Sequence, residues 1–255
     1  MITTHDDLDE VIDDTKQQNQ SGDKIHPWRI CPIGKHFVKK HVVHIPPSKE
    51  HPDGETIERH EHCATNPSKK DLLSFDEIQA MTEKYFHQLS GPPKAGVLPK
   101  YTYADAFDPE IRGWVRYWND IFSFPHPLQE DLVKALIASE SSFYAKTDIP
   151  SGQGKGRARG LMQVTDYTMH ILNDHHGELS NHLICFEHPK LLDPSANICA
   201  GVRWLFRCMV IAKSKLGSKT TWIDAVAQYK GKLNEKPPIK EMDVFLHHYA
   251  CILRG

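Results

Sequence analysis

The chain has 255 residues, of which 39% are hydrophobic and 25% charged, and its formal net charge is −2. That length suits one large domain or two modest ones and is enough to bury a core. The composition excludes a disordered chain, the roughly eighteen consecutive apolar residues of a membrane span are nowhere in view, and a net charge of −2 lacks the basic excess of a dedicated nucleic-acid binder.

Residues 1–24 are acidic and polar and read as a flexible arm. Met1 to Glu10 has neither a basic flank nor an apolar stretch, so the expectation is a protein made in the cytoplasm without a secretory signal peptide. Residues 25–125 read as an N-terminal accessory domain, His/Cys-rich at first and then helical. An alternating stretch from Phe37 to Ile45 predicts a strand. Ser74-Phe-Asp-Glu77 has capping-box spacing and precedes a helical face of Ile78, Met81, Tyr85, Phe86 and Leu89, ended by Gly91-Pro92-Pro93. Asp108-Pro109 opens a helix with a stripe of Ile111, Trp114, Val115, Trp118, Ile121 and Phe122.

Phe124-Pro125-His126-Pro127 is the expected domain boundary, with residues 126–255 as the second domain. Beyond it a helix is predicted from about Leu128 to Phe143, with Glu130 and Asp131 at its positive end and Leu132, Val133, Leu136 and Ile137 as its apolar face. A Gly-rich basic stretch, residues 151–160, is too flexible for a helix. Thr165 caps a short helix to Asn173. Asp193-Pro194 starts a long one carrying Ile198, Val202, Leu205, Phe206 and Met209 and ending near Gly217. Trp222 to Tyr229 and Ile239 to Leu253 are the last two. The fold class is α+β, mostly helical, with small β pieces near residues 37–45 and 144–160. The charge is uneven: residues 1–130 hold 15 Lys/Arg against 21 Asp/Glu, and residues 131–255 hold 16 against 12.

Glu140 stands near the C-terminal end of an apolar helix, beside Ser141, Ser142 and Phe143. Partial desolvation and the negative end of the helix dipole both favour the protonated form that a general acid requires. Downstream lie Gly160-Leu-Met-Gln163-Val, then Leu192-Asp-Pro-Ser-Ala-Asn197-Ile-Cys-Ala-Gly201-Val-Arg-Trp-Leu205, then Ala225-Val-Ala-Gln-Tyr229-Lys-Gly231. Four segments in this order resemble the SLT-type lytic transglycosylases and the related goose-type lysozymes, over residues 128–232.

The resemblance implies a lysozyme-like C-terminal domain that cleaves the β-1,4 bond between N-acetylmuramic acid and N-acetylglucosamine in peptidoglycan. It makes Glu140 the catalytic acid. Ser141, Ser142, Met162, Gln163 and Tyr229 become substrate-binding residues, while Asn197, Gly201 and Trp204 serve packing. In a transglycosylase the Glu140 carboxylate then takes the proton of the muramic C6 hydroxyl, and a 1,6-anhydro product forms without a second carboxylate. Two departures stand out. Glu140 and Gly160 are 20 positions apart, a long insert. The family's Tyr-Asn is Tyr229-Lys230 here. Asp148 or Asp166 as a second acid would give a hydrolytic muramidase instead, and a non-catalytic peptidoglycan-binding module is the rival of another class. Lys155, Arg157 and Arg159 are placed to grip carboxylates of the muramic lactyl group or the peptide stem.

Nine histidines and cysteines from His26 to Cys63 raise the question of zinc, with His41, His44, His60, His62 and Cys63 as the ligand candidates. Their spacing matches no zinc module, so the expectation is a His-rich surface and no cofactor. Pairing of Cys31, Cys63 or the later four cysteines is left open. A wall enzyme without a signal peptide suggests a secreted antibacterial effector, such as a type VI secretion cargo or toxin, or a phage lysis enzyme. It would act in the bacterial periplasm or cell wall. Its partners would be the glycan strands and, for an effector, a cognate immunity protein.

Overall fold

Capping residues set most of the helices. In the computed structural model, which describes residues 28–49, 52–67, 70–89, 98, 100–101, 103–152 and 154–254, α1 (Phe75–Tyr85) begins at Ser74, whose hydroxyl accepts from the Glu77 amide. The acidic arm, His26, His51 and the Gly91-Pro92-Pro93 stop lie outside the described residues. Helix α2 (Asp108–Phe122) starts with Pro109 in its first turn, and α3 (Glu130–Ser141) with Glu130 and Asp131 in its own. Thr165 caps α4 (Asp166–Leu172) and Asp193 caps α5 (Pro194–Leu216). Thr221 and Asp224 form a complete capping box on α6 (Trp222–Tyr229), and α7 (Lys240–Arg254) closes the fold.

The β structure is small. Strand β1 (Lys35–Val38) pairs antiparallel with β4 (His62–Thr65), and β2 (His41–Ile45) with β3 (Glu55–Arg59). A disulfide joins Cys31 to Cys63 at the base of this ribbon. Strand β5 (Asp71–Ser74) pairs in parallel with β9 (His182–Cys185), setting Asp71 opposite His182. The Gly-rich stretch folds as an antiparallel hairpin, β6 (Asp148–Pro150) against β7 (Arg157–Arg159), with β8 (Val164–Thr165) on its other edge.

Glu77 carries the capping-box spacing, but its carboxylate leaves the helix end. It accepts from Arg29 Nε and from the backbone amides of Ile30, Cys31 and Phe37. The buried Arg29 guanidinium also donates to Asp71 Oδ1 at 2.5 Å and to the Leu72 and Lys35 carbonyls. Residues 28–37 are thus clamped to the core by ionic hydrogen bonds as well as by the apolar packing of Trp28 and Ile30.

The packing runs without a break across the expected boundary at 125. One hydrophobic cluster runs from Leu73 to Ile252 and takes in α1 and α2 together with α3, α5, α6 and α7. Helices α2 and α5 meet through Trp114, whose Nε1 donates to Ser195 Oγ, and Trp118, whose Nε1 donates to the Cys199 carbonyl. The proline-rich corner is pinned rather than free. Trp222 Nε1 donates to the His126 carbonyl, and the Asn119 side chain bonds both backbone groups of Leu128. Helix α5 is long and apolar enough to cross a membrane, but most of it is buried at the centre of this cluster.

Candidate active site

Glu140 lies in the last turn of α3, which closes on Ser142 and Phe143, both left-handed with φ of 51° and 63°. Gln163 is left-handed too, so three of the four non-glycine residues with positive φ among the described residues fall in this region. Non-glycine residues held there carry strain that the surrounding fold must support. The double turn reverses the chain directly after Glu140 and leads it into the β6–β7 hairpin.

The Gly160-Leu-Met-Gln163 loop is fixed onto α5. Asn197, fully buried, accepts from the Met162 amide at 2.7 Å and donates to the Arg159 and Leu191 carbonyls. Gly160 has φ of 71°, and a Cβ there would stand 2.3 Å from the Leu191 oxygen. A Cβ on Gly201 would stand 2.4 Å from Met162 Sδ. Both positions therefore exclude a side chain. Tyr229, at the end of α6, donates its hydroxyl to the Met162 carbonyl at 2.7 Å. Burial first, and the Glu140 carboxylate second, push the Tyr229 hydroxyl well above the usual phenol range. It is a permanent hydroxyl donor beside the acid.

The Glu140 side chain is 18% exposed, and Lys230 Nζ lies 2.5 Å from its Oε1. An ammonium therefore faces this partly desolvated carboxyl. Lys230 follows Tyr229 at the position where the resemblance implies asparagine, and that substitution was the only signal of the pairing in the sequence. Gln163 is buried. Its Nε2 donates to the Gly160 carbonyl, and its Oε1 has no hydrogen-bond partner among the described residues. A buried acceptor in that state is open to an N–H or O–H from water or a ligand.

The other sequence candidates are placed as follows. Ser141 turns its hydroxyl back to the Ile137 carbonyl and so serves its own helix. Ser142 Oγ lies 3.4 Å from the Tyr101 hydroxyl, and the Ser142 carbonyl accepts from the Tyr103 hydroxyl at 3.0 Å. Tyr101 and Tyr103 were not singled out by sequence, since they sit 37 or more positions before the acid in a segment without a motif. Asp148 pairs with Arg157 and Arg159. Asp166 accepts from the Arg157 amide and pairs with Arg159 and His188. Burial opposes it, but these donors hold the Asp166 carboxyl below the usual carboxylate range. The hairpin thus uses both aspartates and both arginines on one another.

Of the zinc-ligand candidates, Cys63 is removed, because its sulfur is bonded to Cys31 and is no thiolate. His41 and His62 Nδ1 face the Lys39 and His60 carbonyls, and His44 Nδ1 faces Thr56 Oγ1. Among the described residues no group of three or more His, Cys, Asp or Glu is disposed to hold a metal ion. His60 has no place in such a group.

No curated protein and no solved structure matches the chain. A protein-family model does match, that of the transglycosylase SLT domain, over residues 126–236. The matched segment contains α3 through α6, and with them Glu140, Gln163, Tyr229 and Lys230. Residues 126–236 therefore match the transglycosylase SLT domain, a family whose members are lytic transglycosylases acting on peptidoglycan.

Proposed function

We propose that the protein cleaves the β-1,4 bond between N-acetylmuramic acid and N-acetylglucosamine as a lytic transglycosylase, with Glu140 as its single acid and base. The observation that carries this reading is the half-buried Glu140 carboxyl paired with Lys230, while Asp148 and Asp166 are each engaged by arginine. Protonated Glu140 gives its proton to the glycosidic oxygen as the C1–O bond breaks and C1 takes oxocarbenium character. The resulting carboxylate removes the proton from the muramic C6 hydroxyl, whose oxygen closes on C1. The products are a 1,6-anhydromuramic end and a free N-acetylglucosamine 4-hydroxyl, and Glu140 is again protonated. Gln163 Oε1 would accept from a sugar acetamido N–H or hydroxyl. Met162 shapes the loop floor and Ser142 the turn beside the acid.

Mass spectrometry of muropeptides released from purified sacculi tests this. Anhydro ends are expected. Reducing ends would show a hydrolytic muramidase, and absence of release with retained binding would show a wall-binding module.

We further propose that the protein works in an oxidising compartment, the bacterial periplasm or cell wall, as a secreted antibacterial effector countered by a cognate immunity protein. The Cys31–Cys63 disulfide supports the compartment, since such bonds persist outside the reducing cytosol. Expression directed to the periplasm should arrest growth and expression retained in the cytoplasm should not. Equal growth in both would contradict this.

A further inference from the structure

Beside the acid lies an aromatic pair that the SLT segment alone does not supply. Tyr103 and Tyr144 are 44% and 65% exposed, with ring centroids 6.3 Å apart and planes inclined by 55°. Tyr144 is four positions after Glu140 on the chain that leaves α3, and Tyr103 lies outside residues 126–236. Tyr103 is anchored to the site, because its hydroxyl donates to the carbonyl of Ser142, two residues from Glu140 and so within ~7 Å along the backbone.

The residues next to the pair in sequence are packed aromatics. Tyr101 is 6% exposed and packs on Phe143 at 5.5 Å, and Phe107 stacks on Phe143 with planes 9° apart. On the far side Tyr101 meets His248 of α7 at 5.5 Å. His248 is pressed below the usual imidazole range by burial, then by His247, Lys100 and Lys230. The Lys230 that faces Glu140 thus also acts on His248 of α7, the histidine that Tyr101 packs against.

Resting on the function proposed above, we propose that Tyr103 and Tyr144 form a sugar-stacking subsite for the glycan strand, flanking Glu140 and completed by chain outside the SLT domain. Two adjacent exposed rings are an amphipathic surface that loses little conformational entropy on contact. The apolar C–H face of a pyranose in a glycan already gripped at Glu140 covers such rings, and its hydroxyls reach the phenols. An exposed aromatic patch fixed to the turn that follows Glu140 is a surface on which such a strand would lie.

The test separates stacking from the Tyr103 hydrogen bond. Soluble denuded glycan strands are titrated into Glu140→Gln protein carrying Tyr144→Ala, Tyr103→Ala or Tyr103→Phe, and KM and kcat are measured for the same three changes in the wild type. The expected result is an affinity loss of about 5- to 30-fold for each alanine, with KM raised and kcat within about threefold, and an affinity within twofold for Tyr103→Phe. Unchanged affinity in Tyr144→Ala, or equal losses in Tyr103→Phe and Tyr103→Ala, would overturn the subsite. Tyr144 is largely exposed, so its alanine variant remains informative should Tyr103→Ala fail to fold. Failure of wild-type protein to cleave any glycan would instead contradict the proposed function, which keeps the two outcomes apart.

Discussion

Lys230 Nζ stands 2.5 Å from Glu140 Oε1, joining the ends of α6 and α3 across 90 residues of sequence. In the proposed mechanism the ammonium stands where negative charge develops as the carboxyl gives up its proton, a place where a fixed cation lowers a barrier. It also fixes which way the carboxylate points.

Replacing Lys230 with methionine keeps the stem and removes the charge. The expected outcome is a fall in kcat of about tenfold or more with KM little changed. Lys230→Asn, which keeps a donor and restores the residue implied by the resemblance, should lose less. Initial-rate kinetics on solubilised glycan strands check both, and an undiminished kcat in Lys230→Met would contradict the role.

Asn197 is the rivet between α5 and the Gly160–Gln163 loop, with hydrogen bonds to the Met162 amide and to the Arg159 and Leu191 carbonyls. Alanine there strands three buried backbone groups and should destabilise the fold by about 2–5 kcal/mol. Asn197→Asp should be worse, because a carboxylate would confront two carbonyl oxygens that now receive an N–H. Urea denaturation followed by far-UV circular dichroism gives the comparison. A loss below about 1 kcal/mol in Asn197→Ala would show the loop held by other means.

Much of the helical layout was legible locally. Ser74, Thr165 and Asp193 are polar caps at the points where apolar periodicity begins, and Pro109 and Pro194 sit in first turns where a missing N–H costs nothing. The stripes Leu132–Ile137 and Ile198–Met209 are buried as their spacing predicts. What escaped were relationships between distant segments. The parallel pairing of Asp71 with His182 and the ion pair of Glu140 with Lys230 depend on how helices stack, and no local pattern encodes that. Glu77 shows the limit well. Its spacing is that of a capping box, yet Arg29 and three backbone amides compete more strongly for its carboxylate than the helix end does. Phe124 to Pro127 carries the marks of a linker, but Trp222 and Asn119 bind that corner into the core.

Asp71 makes the stability acid-sensitive. Burial pushes its carboxyl up, but Arg29 and then His182 outweigh burial and hold it well below the usual carboxylate range. A group depressed in the folded state stabilises above its unfolded pKa of about 3.9, and that stabilisation drains away as pH falls toward the folded value. Stability should therefore decline steeply below about pH 4. Asp71→Asn should lose about 3–5 kcal/mol at neutral pH, because Arg29 is left buried with Glu77 alone, and should show a shallower acid decline. Thermal melts at pH 3, 4, 5 and 7 read both effects. A variant as acid-sensitive as the wild type would place the sensitivity elsewhere.

The central claim is that one carboxyl, Glu140, moves the proton that breaks the glycan. Chromatography with mass detection of muropeptides released from purified sacculi by wild type and by folded Glu140→Gln tests it most directly. The account predicts release by the wild type and a fall of about 10²- to 10⁴-fold in the variant. Equal release by the two proteins would contradict it.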